Sequence, residues 1–309
     1  MTRINGVEIA DSFAEAFGMR AAALVITADS KRWARQAATT MTGYATSVIG
    51  CGCEAGVDRE LAPSETPDGR PGVRVLIFAM SVADLQAQLR NRVGQCVLTS
   101  PGSACFGDLM GDERLKLGES LRYFGDGWQI AKKLGERRYW RIPVMDGEFL
   151  CESTVALTRD AVGGGNLILM GATRQKTLRA AEAAVAAIAK VADAIMPFPG
   201  GIVRSGSKIG AKYKGMSAST NDAYCPTLRG AAASALGPEI ASVLEIVIDG
   251  LSYDAVARAM RAGLAAIVAL GPDKGALHVT AGNYGGKLGP HHFRLLELAP
   301  APRGKGQAR

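Results

Sequence analysis

The chain has 309 residues, 48% of them apolar, and a formal net charge of +7. That length calls for two domains or one unusually large one, with ample apolar material for buried cores. Its most apolar stretch, residues 180–195, is broken by Glu182, Lys190 and Asp193, which argues against a membrane span. The first residues carry acids and no apolar centre of an export signal. Part of the positive charge sits in the tail, where Arg303, Lys305 and Arg309 follow Glu297 unopposed. Charge of that kind is ordinary solvated surface and does not call for nucleic acid. Cys51, Cys53, Cys96, Cys105, Cys151 and Cys225 form no Cys-x-x-Cys pair, and the only histidines are His278, His291 and His292. A zinc or iron–sulfur site is therefore not expected, and scattered thiols fit a reducing cytoplasm.

Four strand-then-helix units follow in chain order. AALVIT leads into a helix opening near Asp29 and running through KRWARQAATTMT. GVRVLIFAM is followed by the helix cap Ser81, with Asp84 at the third helical position, and then LQAQLRNR. NLILMGA precedes an alanine-rich helix over residues 174–192. SVLEIVIDGL precedes Ser252, a second capping serine, and YDAVARAMRAGLAAIV. The strands are rich in Val, Ile and Leu, whereas apolar residues in the helices recur every three or four positions. The short apolar stretches TSVIG, GQCVLT, GGIVR and ALHVTAG are expected to add further strands. Two such units per half predict an α+β fold made of two βαββαβ lobes related by internal duplication, with helices on one face of antiparallel sheets. The hinge is placed at residues 142–147, where Pro143 meets an Asp-Gly turn, dividing the chain into residues 1–145 and 146–309. The second lobe should carry long substrate loops and end in a flexible basic tail.

Those loops hold the chemistry. Residues 197–230, PFPGGIVRSGSKIGAKYKGMSASTNDAYCPTLRG, have no acid before Asp222 and present Arg204, Lys208, Lys212 and Lys214. Glycine admits close approach of backbone to a ligand, and basic side chains there select an anionic, heteroatom-rich molecule. Asn283, Tyr284 and Lys287 lie in a second glycine-rich loop, AGNYGGKLG. Turn chemistry alone explains any one such loop; several together favour a ligand cleft. The segment GGGN at residues 163–166 lacks dinucleotide spacing, and no phosphate-binding P-loop or nucleophile elbow is present. Cys51 and Cys53 have no histidine nearby in sequence to activate them, and Cys225 beside Pro226 reads as packing.

Glu245 is the sharpest candidate. Strand alternation puts Val243, Glu245 and Val247 on one face and Leu244, Ile246 and Ile248 on the other. A carboxyl among apolar neighbours is costly to bury unless paired, and its pKa rises toward neutrality, suiting general acid work. A solvent-facing or lysine-paired glutamate fits the spacing equally well.

The segments PFPGGIVRSGSKIGAK, STNDAYCPT, EIVIDGL and AGNYGGKLG together resemble the formylmethanofuran:tetrahydromethanopterin N-formyltransferase family. FAEAF, TSVIGC, TPDGRPGV, RVGQCV, YFGDGWQ, IPVMDGEF and AAEAAVAAI continue the match, in order, from Ile4 to Gly289; the tail after His291 and the basic charge depart from it. The resemblance implies two ferredoxin-like lobes and a cytoplasmic acyltransferase, commonly a homotetramer. It implies formyl transfer between N5 of tetrahydromethanopterin and the amine of methanofuran. Both coenzymes act as substrates, with no metal, permanently bound cofactor, nucleic acid or membrane involved. In methylotrophic bacteria it implies one subunit of a formyltransferase/hydrolase complex, serving formaldehyde oxidation to formate. Glu245 matches the family's acid/base glutamate. Asn221, Tyr224, Asn283 and Tyr284 are then expected to orient the formyl group and rings. Ser205, Gly206 and Lys208 would hold polar substrate groups, with Arg204 and Lys287 as anion contacts. A catalytically silent subunit of the same complex is the alternative. An RNA-binding module is disfavoured, because aromatic residues make up 6% of the chain and no strand pairs exposed ones.

Overall fold

The computed structural model describes residues 2–301. The tail expected to be flexible, residues 302–309, lies outside the described residues. Contacts divide the chain into two compact units. One is Gly18–Ala161, and the other combines the described residues before Gly18 with those after Ala161. The expected division at residues 145/146 lies at the turn of a hairpin within the first of these units, where Gly147 pairs with Val144. An Asp-Gly turn and a proline mark a tight reversal as readily as a hinge. Among the described residues no helix is long and apolar enough to cross a membrane.

In the unit Gly18–Ala161, residues 20–27 of the strand Phe13–Thr27 pair antiparallel with Gly72–Ala79, which pairs antiparallel with Glu54–Leu61. On the other side lies Ala104–Gly107, followed by Gly147–Glu152, Arg137–Val144 and Ile130–Leu134. The Ala104–Gly107 to Gly147–Glu152 pairing is parallel, so this sheet is mixed rather than purely antiparallel. Helices Lys31–Thr42 and Val82–Arg92 are capped by Ser30 and Ser81, whose side chains accept the amides of Trp33 and Asp84. Their small and aliphatic residues Ala34, Ala38, Leu85 and Leu89 pack on Leu24, Ile26, Val75 and Ile77 of the sheet. Three expected strands are not strands. In GGIVR, residues Gly200 and Gly201 belong to a short turn and only Val203 touches the sheet, as an isolated bridge. Residues Val48–Cys51 form one helical turn, started by Ser47 and stopped by Gly52 at φ 74°. Residues Val93–Val97 continue the preceding helix as a π-turn. Short apolar runs do not by themselves separate helix from strand.

The other unit begins with a hairpin of Thr2–Ile4 and Val7–Ile9, which the sequence did not single out. Val7–Ile9 lies parallel to His278–Thr280, which pairs antiparallel with Thr158–Gly171. Next come Ser242–Gly250 and the short Ala194–Ile195. Helices Arg174–Ile188 and Tyr253–Leu270, capped by Thr173 and Ser252, cover one face. They are built largely of alanine, with Ala180, Ala184, Ala259 and Leu264 buried against Leu167, Leu169, Ile246 and Ile248. The opposite face is covered by loops rather than helices: Ile168, Met170 and Val243 cluster with Ile240, Tyr224, Leu236 and Leu277. Period-two alternation thus sends one set of side chains to the helices and the other, including Glu245, to the loops.

Gly165 marks where helix and sheet come closest, since a Cβ there would lie 2.3 Å from Val256 Cγ1 and 3.3 Å from the Ile248 carbonyl oxygen. Valine in a helix has little rotamer freedom to yield. Gly165→Ala is expected to lower stability by about 1–3 kcal/mol. Urea unfolding checks this, and an unchanged midpoint would mean that the helix shifts without cost.

Candidate active site

Glu245 sits mid-strand in Ser242–Gly250, opposite Ile168 of Thr158–Gly171. On its other side the strand is joined by a single residue of the long loop. Val203 donates its amide to the Glu245 carbonyl at 2.7 Å and accepts the Glu245 amide at 2.9 Å. This bridge brings the next residues, Arg204, Ser205 and Gly206, beside the carboxyl. The loop then forms a small hairpin, Lys208–Ile209 with Ala218–Ser219, and returns through short turns at Asp222–Tyr224 and Pro226–Leu228. Gly206 adopts φ 57°, and a Cβ there would lie 3.3 Å from Asn221 Cβ, so glycine lets the outgoing and returning strands of the loop approach.

The result is a small cleft of about 50 Å³, lined by Glu245, Arg204, Ser205, Gly206, Asn221 and Tyr224, with Ile168, Val203 and Val243 among its apolar lining. Such a volume suits a formyl-sized group and not a whole coenzyme. Only part of Glu245 reaches solvent, and burial pushes its carboxyl up from an ordinary 4.5 to about 7. Burial, and not a lysine partner, is the cause of that rise, and the side chain is only partly open to solvent. Burial also pushes up the Tyr224 phenol, leaving it a neutral donor. Cys225 lines the cleft too, and its thiol donates to the Asn221 carbonyl at 3.3 Å.

Not every expected residue converges. Lys208 binds Asp222 at 2.6 Å within its own loop, and this hydrogen bond lowers the Asp222 pKa. Both partners are well exposed, so the pair contributes little to stability. Lys287 is exposed on the second loop and does not line the Glu245 cleft. Asn283 is turned back on the strand Phe13–Thr27, donating to Ser12 Oγ at 3.3 Å and the Phe13 carbonyl at 3.2 Å. Tyr284 is about two-fifths exposed. Its phenol is pushed up by burial and then by the negative charges of Glu245 and Glu15, so it lies within electrostatic reach of the acid.

Glu15 is the buried carboxylate that sequence reasoning missed. It is 2% exposed, yet its carboxylate accepts the backbone amides of Tyr284, Gly286, Leu288 and Gly289 at 2.6–2.9 Å. Burial alone would raise its pKa, but these four donors pull it down to about 2. The signal was present in FAEAF, an acid between apolar residues at strand period, though its partners are some 270 positions away. Asn166 completes the loop's base, accepting the Gly282 amide at 2.6 Å. Among the described residues no group of three or more His, Cys, Asp or Glu converges in a way that could hold a metal ion.

The chain is similar to known proteins over most of its length. The family model described as formylmethanofuran-tetrahydromethanopterin formyltransferase matches residues 2–144, and that of its proximal lobe matches residues 147–298. A formylmethanofuran–tetrahydromethanopterin formyltransferase from Methylococcus capsulatus is 58% identical, over 96% of this chain and 99% of its own length. One component of the formyltransferase/hydrolase complex of Methylorubrum extorquens is likewise 58% identical, over 97% of this chain and 98% of its own. A chain in the crystal structure of that complex with methylofuran superposes with a TM-score of 0.94 at 57% identity, covering 97% of this chain and 99% of its own length.

The raised Glu245 pKa has a consequence for folding. The folded state holds this proton more tightly than the unfolded chain, so stability from this group is full below about 4.5 and lost as pH rises toward about 7. Glu245→Gln removes that loss. At about pH 8 the variant should exceed the wild type by up to roughly 3 kcal/mol, with no difference near pH 4. Denaturant unfolding at both pH values checks this, and an equal gap at each would contradict a desolvated carboxyl.

Proposed function

Because the chain belongs to the formylmethanofuran–tetrahydromethanopterin formyltransferase family, we propose that the Glu245 cleft moves a formyl group between N5 of tetrahydromethanopterin and the amine of a methanofuran-type coenzyme. The chain is an N-formyltransferase, and the coenzymes enter as substrates.

The observation that carries the mechanism is a carboxyl with a pKa of about 7, placed in a cleft with amide and hydroxyl donors around it. A formamide is resonance-stabilised, so attack by an amine requires the carbonyl oxygen to be stabilised as it gains charge. Protonated Glu245 can donate a hydrogen bond to that oxygen, then give its proton to the departing amine and recover one from the attacking nitrogen as the new C–N bond forms and the old one breaks, work worth roughly a hundredfold or more. Asn221, Tyr224 and the backbone around Ser205 and Gly206 supply further donors, each worth about 3 kcal/mol where aimed at a developing oxyanion. Cys225, the thiol lining the cleft, is engaged with a backbone carbonyl, so direct transfer in a ternary complex is preferred over an acyl-enzyme. Arg204 is exposed at the rim and is suited to steering the carboxylates of the coenzymes.

We extend to this chain the assembly that its relative's name states, a formyltransferase/hydrolase complex, and propose that within it formylated furan passes to a hydrolase component. A homotetrameric core and a cytoplasmic location are part of the same proposal; the free thiols suit a reducing compartment. A silent subunit would have no use for an acid held at about 7 beside polar donors.

Glu245→Gln should lower the turnover of formyl exchange between the two coenzymes about a hundredfold or more, with modest change in either KM. The wild-type rate should fall as pH rises through about 7, as the acid form is lost, and the variant should lack that limb. Wild-type turnover in the variant, with both coenzymes bound normally, would remove the proposed role.

A further inference from the structure

Glu15 is charged and almost fully buried, and it does not line the Glu245 cleft. Proton transfer at Glu245 makes no use of it. Burying a carboxylate is costly, and an apolar contact would close a loop at lower cost. The four amides that it accepts come from one short stretch, residues 284–289. Oε2 takes those of Tyr284 at 2.6 Å and Gly286 at 2.9 Å, and Oε1 those of Leu288 at 2.6 Å and Gly289 at 2.7 Å. A carboxylate has about four acceptor positions, and here all of them serve this loop. The Glu15 backbone serves it too, donating to the Gly282 carbonyl at 3.2 Å. At the far end a Cβ on Gly289 would lie 2.4 Å from the Ala16 carbonyl oxygen, so only glycine lets the loop return this close to the strand.

Tyr284 is the side chain that this arrangement fixes. Ala14 and Ala16 belong to the core under the helices, together with Leu167 and Ile246. Alternation therefore leaves Glu15 and Phe17 on the opposite face, the one that carries Glu245. Glu15 holds the Tyr284 amide, and the Phe17 ring lies 6.3 Å from the Tyr284 ring, tilted against it. The root of the loop is fixed on the same face. Asn166 accepts the Gly282 amide at 2.6 Å, and it pairs across the sheet with Val247, two residues from Glu245.

On the reading above, formyl transfer at Glu245, we propose that Glu15 is a positioning residue of the reaction, which through residues 284–289 holds the Tyr284 phenol as a fixed donor on the Glu245 face. With a pKa of about 2, Glu15 keeps its charge, and with it this grip, at any pH near neutrality. Burial and then the charges of Glu245 and Glu15 keep the phenol protonated. A donor held in advance needs no rearrangement as the carbonyl oxygen gains charge.

The test compares formyl exchange in Tyr284→Phe, Glu15→Gln and the double variant, alongside hydrogen exchange of the amides in residues 284–289. Glutamine keeps the size of Glu15 but offers one acceptor oxygen to four amides. Each single variant should lower kcat about tenfold or more, with either KM changed less than about threefold. The double variant should fall no further than the slower single one, because both changes remove the same placed hydroxyl. Protection of the four amides should drop in Glu15→Gln and persist in Tyr284→Phe. Glu15→Asp keeps the charge and should recover part of kcat; if the glutamine variant does not fold, the aspartate variant takes its place in the cycle. Losses that multiply in the double variant overturn the inference. A folded Glu15→Gln with a lowered thermal midpoint and wild-type kcat overturns it too, since the carboxylate would then be structural alone. A wild-type chain without formyl exchange sinks the transfer reading, whereas an active one with multiplying losses sinks only the positioning role.

Discussion

A pair of main-chain hydrogen bonds between Val203 and Glu245 is the constraint on which the site depends. Without it, a loop with three-residue turns and two-residue strands would have no fixed place against the sheet. Ordering each residue of such a loop costs about 1–2 kcal/mol in backbone entropy, so the anchors must be few and strong. The bridge supplies one, at the acid itself. Arg229, reaching the carbonyls of Gly237 and Ile240, supplies another, and Tyr224 and Ile240 packed on Ile168 and Met170 supply a third. Because the first anchor uses the backbone of Glu245 itself, the distance between that residue and the donors after Val203 is set by strand geometry rather than by side-chain packing.

The same unit treats two carboxylates in opposite ways. Glu15 is the more buried, yet four amides keep it ionised, at a pKa of about 2. Glu245 is partly open to its cleft, yet apolar neighbours hold it at about 7. Burial alone therefore does not decide protonation; the supply of donors does. Glu15 is bound up in holding the second glycine loop, and its fixed charge, together with that of Glu245, discourages ionisation of Tyr284. A structural anion and a neutral acid can coexist on one sheet because the backbone amides are spent on the first and withheld from the second.

Much of this was legible in the sequence. The four strand–helix units were visible because apolar spacing and capping serines are local signals, and Ser81 and Ser252 cap where expected. Glu245 was visible because alternation places it among valines, although spacing could not say whether a lysine answered it. Arg204, Ser205, Gly206, Asn221 and Tyr224 do meet at the acid, as the glycine-rich context suggested. What failed was non-local. Nothing in the run of cations showed that Lys208 would be claimed by Asp222, or that an acid near the N-terminus would organise residues 284–289. The compact units divide within the strands Phe13–Thr27 and Thr158–Gly171, at Gly18 and just before Gly163, Gly164 and Gly165, glycines that were weighed only against a dinucleotide motif.

A cleft of about 50 Å³ around the acid imposes one further consequence. It can enclose the atoms that react and little else, so recognition of large coenzymes must occur on the surrounding surface, away from the proton. That separation suits a shared transfer site. Anions recruited by rim cations such as Arg204 stay outside the apolar patch of Ile168, Val203 and Val243, where a neighbouring charge would disturb the protonation of Glu245. Binding energy gathered at a distance can then position the amine against the formyl carbon, while the acid keeps the desolvated surroundings that make it an acid.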